Sequence, residues 1–194
     1  MNSQPRVFAV VLAAGESRRF GETKQLATVD GDALVERAAQ RAATACGDRS
    51  VLVAGHDARR VIAAAGDRCR FLLVNDRYGE GMGTSVALAA KALSGVADAL
   101  LIVLADQPLV TAEHLSSLID SWSGDDDEIV ASRFDGISGP PLLLPKKTFD
   151  DLRSLTGDQG AKALLSDDRF RMTAIDCAAA GVDIDTPEDL ERLH

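Results

Sequence analysis

Val7-Phe8-Ala9-Val10-Val11-Leu12-Ala13-Ala14-Gly15-Glu16-Ser17-Arg18-Arg19-Phe20-Gly21-Glu22-Thr23-Lys24 changes character once along its length. Val7 to Leu12 is continuously apolar, as a strand buried on both faces of a parallel sheet tends to be. The residues after it are small, glycine-bounded and basic. Outward from this stretch, further apolar runs lie at Ser50 to Ala54, Phe71 to Val74 and Ala99 to Ala105. Helix-length segments near Ala33 to Cys46, Asp57 to Ala65 and Ser85 to Leu93 separate them. The order βαβαβαβ predicts an α/β fold with a right-handed parallel sheet, covered on both faces, in which all of these strands are buried.

Beyond Asp106 the pattern loosens. A helix is expected from Thr111 to Trp122, followed by an acidic loop and two runs, Ile129 to Ser132 and Pro141 to Leu144, that form a small antiparallel ribbon. Pro140 and Pro141 cannot donate to a central ladder, so the second run is expected to lie at a sheet edge or begin there. Helices near Lys147 to Leu155 and Ala161 to Ser166, a strand Met172 to Asp176, a short run Val182 to Asp185 and a helix from Pro187 complete the chain. Its 194 residues fit one domain, 1–194, without a linker or repeat.

A formal charge of -9 argues against nucleic acid and anionic lipid as partners and makes any local cluster of bases informative. Cys46, Cys69 and Cys177 are far apart, without the CxxC spacing of a zinc or redox site, and fit reduced thiols in the cytoplasm. Arg6 before Val7 to Gly15 also resembles a short signal peptide, but one base is a weak leader and charged loop residues follow at once. No segment approaches the roughly 20 apolar residues of a membrane span.

Arg18, Arg19 and Lys24 form that cluster, on a loop whose small residues let backbone N–H groups approach phosphate. Gly15 and Gly21 have five residues between them and Lys24 precedes Gln25, so the loop is neither a Walker A loop nor GxGxxG. It reads as a triphosphate cradle or as a solvated turn with ordinary arginines. Asp106 ends the most apolar run, where the carboxyl ends of parallel strands line a ligand crevice, and is the first candidate metal ligand. A turn before a helix capped by Thr111 is its structural alternative. In Val182-Asp183-Ile184-Asp185-Thr186-Pro187, extended backbone puts Asp183 and Asp185 on one side, as a cation would require. Asp185 or Thr186 alternatively caps the last helix. Magnesium suits the set, because it binds through one or two protein carboxylates plus substrate phosphates; His56, His114 and His194 lack ligand spacing.

Leu12 to Lys24 follows the pattern LAAGxSxRxGxxK, and with it the chain resembles the molybdenum cofactor cytidylyltransferase branch of the MobA-like nucleotidyltransferases. Further matches are Gly81-Met82-Gly83-Thr84-Ser85, Asp106-Gln107-Pro108, Gly139-Pro140-Pro141, Gly157-Asp158-Gln159-Gly160-Ala161-Lys162 and Asp183 to Leu190. The resemblance implies a Rossmann-like three-layer nucleotidyltransferase domain. It implies catalysis by Arg19, Lys24 and Asp106, with nucleotide binding by Leu12, Ala13, Ala14, Gly15, Glu16, Ser17, Arg18 and Gly21 and by Gly83, Thr84 and Ser85. Asp106, Asp183 and Asp185 would hold Mg2+, and Gly139, Pro140 and Lys162 would face the acceptor. The implied reaction joins CMP from CTP to molybdopterin's terminal phosphate, with a recipient molybdoenzyme or chaperone as a possible partner. Phe20 stands where the family often has methionine, and Pro140 where histidine is frequent. Rival readings are a GTP-dependent guanylyltransferase, a cytidylyltransferase acting on a sugar or polyol phosphate, and a non-catalytic nucleotide-binding regulator or delivery protein.

Overall fold

In the computed structural model, which describes residues 5–157 and 161–193, a seven-stranded sheet lies between two layers of helices. β1 (Val7–Ala13) is buried along its whole length because neighbours flank it on both sides and helices cover both faces. A minimal hairpin, β2 (Thr28–Val29) and β3 (Asp32–Ala33), forms a separate two-stranded sheet before α1 (Leu34–Cys46). β4 (Ser50–Ala54), α2 (Ala58–Ala65), β5 (Phe71–Val74), α3 (Met82–Leu93) and β6 (Ala99–Leu104) complete the parallel half. The second half runs α4 (Ala112–Asp120), β7 (Glu128–Phe134), β8 (Ile137–Pro145), α5 (Phe149–Arg153), β9 (Arg171–Asp176) and α6 (Pro187–Glu191). Strands lie in the order β5-β4-β1-β6-β8-β7-β9, with β8 alone antiparallel to its neighbours.

Strand alternation divides the core. Ala9, Val11, Leu101 and Val103 face α1, α2 and α4, whereas Val10, Leu12, Leu100 and Ile102 face α3 and α5. On α1 the buried set Leu34, Val35, Ala38, Ala39, Ala42 and Cys46 recurs at helical spacing, so one stripe packs on the sheet. Burial raises the thiol pKa values of Cys46 and Cys69 to about 11, which leaves both as protonated packing groups.

Four sequence expectations change. Phe71–Val74 is the sheet's outer strand and mostly exposed, since nothing beyond it supplies a neighbour. The run around Pro140 and Pro141 lies inside the sheet, between β6 and β7. The ladder jumps from Ala131 opposite Leu142 to Ser132 opposite Gly139, so both prolines sit in a bulge that requires no donor. Val182 to Asp185 forms no strand and crosses the sheet's end instead. The expected helix over Lys147 to Leu155 is shorter, a 3-10 turn at Lys146–Thr148 followed by α5. No helix among the described residues is long and apolar enough to cross a membrane.

Candidate functional site

At the carboxyl ends of β1 and β6 the loop after β1 bends over a cleft of about 410 Å³. Ser17 holds the bend with a left-handed backbone, φ 57°, and accepts N–H bonds from Phe20 at 2.9 Å and Gly21 at 3.2 Å on its carbonyl. Gln25, buried, fastens the loop from beneath: its amide donates to Gly15 O at 3.0 Å and its carbonyl accepts from Ser17 Oγ at 3.2 Å. Phe20 turns inward onto Val29, Leu34 and Ile184, so a ring at this position ties the loop to the distant acidic segment. Gly55 lies directly under the loop. A Cβ there would approach Ala14 O to 2.8 Å and the Tyr78 Cβ to 2.7 Å, closer than any side chain permits.

The Lys24 ammonium sits at the floor and donates to Asp106 Oδ2 at 2.6 Å, Ile184 O at 2.9 Å and Asp185 Oδ1 at 3.2 Å. Burial pulls its pKa down, but the Asp106 and Asp185 carboxylates outweigh that and hold it above the ordinary lysine value. At the rim, Arg19 reaches Asp185 Oδ2 at 2.9 Å and Arg18 pairs with Glu16 at 2.6 Å. Asp106 leaves the end of β6, and its carbonyl accepts the Ile184 N–H at 2.9 Å. Ile184 itself is fully buried, which pins the segment carrying Asp183 and Asp185 across the cleft. Asp183 is exposed at its surface, but loss of solvation on its inner side, and then the Asp106 charge, raise its pKa. The helix cap belongs to Thr186, whose hydroxyl accepts the Asp189 N–H in a capping box, so the Asp185 side chain is left to the two bases.

Among the expected nucleotide-side residues, Leu12, Ala14, Gly15, Glu16, Ser17 and Ser85 line the cleft, as do Arg18, Arg19, Lys24, Asp106 and Asp185. Others lie elsewhere. Ala13 packs into the opposite core layer, Gly21 turns away with φ 83°, and the Gly83 N–H binds Gly157 O at 2.9 Å. Thr84 is saturated internally: its hydroxyl accepts from Asn75 Nδ2 at 2.8 Å and lies 2.9 Å from Gly81 O. On the expected acceptor side, a Cβ on Gly139 would lie 3.5 Å from Lys162 Cε, so these two are neighbours. Asp158, Gln159 and Gly160 of the same motif lie outside the described residues.

Sequence reasoning assigned no part to Gln107, Gln25, Tyr78 or Gly79. Buried Gln107 donates to Pro140 O at 3.2 Å and Ala180 O at 2.7 Å, joining the Asp106 turn to the acceptor-side strand. Tyr78 and Gly79 line the cleft from the turn before α3. The glutamine beside Lys24 was a signal available in the sequence; the approach of Tyr78 depends on the packing at Gly55.

Among the described residues, no group of three or more His, Cys, Asp and Glu is arranged to hold an ion unaided. Asp106 and the Asp183-Asp185 segment fit a hard divalent ion that takes its remaining ligands from phosphate and water. Asp106 and Asp185 line the cleft, whereas Asp183 is exposed and does not.

The sequence matches the MobA-like NTP transferase domain over residues 9–173. It is 30% identical to purine catabolism protein PucB of Bacillus subtilis over 98% of this chain and 97% of that one. It is likewise 30% identical to nicotine blue oxidoreductase of Paenarthrobacter nicotinovorans over 97% of each chain. The structure of Rv0371c from Mycobacterium tuberculosis in complex with manganese is similar at a TM-score of 0.78 and 27% identity, with 97% of each chain covered.

Proposed function

Because this chain belongs to the MobA-like NTP transferase family, we propose that it is a cytoplasmic, single-domain enzyme that transfers CMP from CTP to the terminal phosphate of molybdopterin. The observation that carries the reading is Lys24, held among Asp106, Ile184 O and Asp185 at the foot of a loop bearing Arg18 and Arg19. It gives one cleft both the cations for a triphosphate and the acids for its counterion.

The acceptor phosphate is largely ionised at neutral pH, so an attacking oxygen needs no strong base. A bond forms between that oxygen and the α-phosphorus as the bond from the α-phosphorus to the bridging oxygen breaks. Pyrophosphate leaves with the electron pair. Arg19, Lys24 and the N–H groups of the loop offset charge on the departing side. Asp106, with Asp183 and Asp185, would hold Mg2+, which lends Lewis acidity at phosphate when bound. Reading of the base edge is assigned to Ser85, which lines the cleft although its hydroxyl accepts from Asn75 Nδ2 at 2.9 Å, and the acceptor side is assigned to Gly139, Pro140 and Lys162. CTP is preferred over GTP on the resemblance of Leu12-Ala13-Ala14-Gly15 to the cytidylyltransferase pattern.

Pyrophosphate release is measured with each NTP, Mg2+ and molybdopterin or a sugar phosphate. Release that depends on both CTP and molybdopterin is expected. Release with GTP alone, or with a sugar phosphate in place of molybdopterin, reassigns the substrates. Absence of release from every pair removes the assignment of CTP and molybdopterin as substrates.

A further inference from the structure

Asn75, Thr84 and Ser85 form a polar cluster behind the cleft, and all three are buried. Asn75 follows β5, and its N–H donates to Ala54 O at 2.8 Å, which anchors it to the sheet. The Arg77 N–H donates to Asn75 Oδ1 at 3.0 Å. That bond identifies the amide oxygen and leaves both Nδ2 protons for other acceptors. They go to Thr84 Oγ1 at 2.8 Å and Ser85 Oγ at 2.9 Å.

The two hydroxyls then differ in where their own protons go. Thr84 donates to Gly81 O at 2.9 Å. A helical serine usually donates to the carbonyl one turn earlier, which for Ser85 is again Gly81 O. That oxygen already takes the Thr84 hydroxyl and the Thr84 N–H, the latter at 3.2 Å. Among the described residues the Ser85 hydroxyl accepts from Asn75 and has no acceptor for its own proton. Other buried serines are spent: Ser50 donates to Arg68 O at 3.3 Å and accepts from the Arg70 N–H at 3.3 Å, and Ser132 donates to Pro141 O at 2.7 Å. Ser85 lines the cleft, so its remaining proton is available there.

On the reading that this cleft takes a nucleotide, we propose that Asn75 is a positioning residue for the base. By donating to Ser85 Oγ it holds that hydroxyl as a donor, so Ser85 selects an edge atom that accepts a hydrogen bond over one that carries a proton. Cytosine presents two such acceptors side by side, its ring carbonyl and the adjacent unprotonated ring nitrogen.

Isothermal titration calorimetry of the full chain with CTP and Mg2+, without acceptor, tests this. Ser85→Ala should weaken binding roughly tenfold, the worth of one hydrogen bond. An ionised carboxylate at position 75 only accepts, so Asn75→Asp should draw the Ser85 proton away from the cleft and weaken binding as much, while keeping the bond from the Arg77 N–H. Asn75→Leu loses that bond but leaves the Ser85 hydroxyl free to rotate, and should weaken binding only about threefold. Support of the turn alone would give the opposite order. Added to Ser85→Ala, Asn75→Asp should cost less than about twofold more. Circular dichroism verifies each fold, and the two neutral variants keep the test open if the carboxylate disturbs folding. Ser85→Ala binding CTP like the wild type, Asn75→Leu weaker than Asn75→Asp, or a double variant in which the losses add would each overturn the role of Asn75. A wild type that binds GTP in preference to CTP overturns the choice of nucleotide instead, and the same series with GTP then decides the role of Asn75.

Discussion

Lys24 at the floor of the cleft and Arg19 at its rim both reach Asp185, yet the side chain of the first is 14% exposed and that of the second 73%. The floor is arranged in advance. Lys24 has acceptors from three separate residues, and Gln25 ties down the Gly15 carbonyl and the Ser17 hydroxyl at the bend. The rim is held by single surface ion pairs, each worth about 0–1 kcal/mol, which a polyphosphate can displace at small cost. Fixed groups can stabilise a transition state without reorganising, whereas mobile cations contribute mainly to capture of the nucleotide. The contrast therefore assigns turnover to the floor and affinity to the rim.

The largest effect is expected for Asp106→Asn. The substitution removes the charge of the proposed strand-end ligand while the backbone bond from Ile184 to Asp106 O persists, so the fold should survive. Turnover should fall about a thousandfold, measured as initial pyrophosphate release, with an unchanged circular dichroism spectrum. A loss smaller than tenfold would take turnover away from the floor.

An intermediate effect is expected for Arg19→Ala. KM for the nucleotide should rise roughly tenfold while kcat stays within a few-fold, because the arginine's present contact is one exposed carboxylate. Steady-state kinetics across nucleotide concentration separates the two constants. A fall in kcat at constant KM would place Arg19 with the fixed groups.

Much of the floor was legible because its signals are local. An apolar run ending in small residues announces a strand entering a loop, and a run ending at Asp106 places a carboxylate at the crevice. Thr186-Pro187 announced its own helix. What escaped was settled by distant contacts. The position of β8 inside the sheet depends on a bulge that absorbs Pro140 and Pro141, which no propensity records. The exposure of Phe71–Val74 depends on the absence of a neighbouring strand, whereas its apolar composition reads as that of a central one. Thr84 looked available for a base from its glycine-rich setting, and lost that availability to Asn75, nine residues earlier. Phe20, a departure from the usual methionine, packs against Ile184 far along the chain, so its part in the site was invisible before folding.

The smallest effect, and the sharpest test of how the rim works, is expected for Arg18→Ala. Arg18 is 78% exposed and spends its guanidinium on Glu16, two residues earlier on the same loop, rather than on the acids at the floor. Its removal frees Glu16 near the cleft and deletes one cation, two changes that oppose each other in their effect on local potential only if Glu16 then turns to solvent. Both KM and kcat are therefore expected to stay within about twofold of wild type. If KM instead rises as much as in Arg19→Ala, the rim acts through summed positive charge, and the particular reach of Arg19 to Asp185 is incidental. Repeating both measurements at higher ionic strength distinguishes these cases, since a summed field is screened alike for both arginines, whereas a direct contact made by Arg19 inside the cleft is screened less.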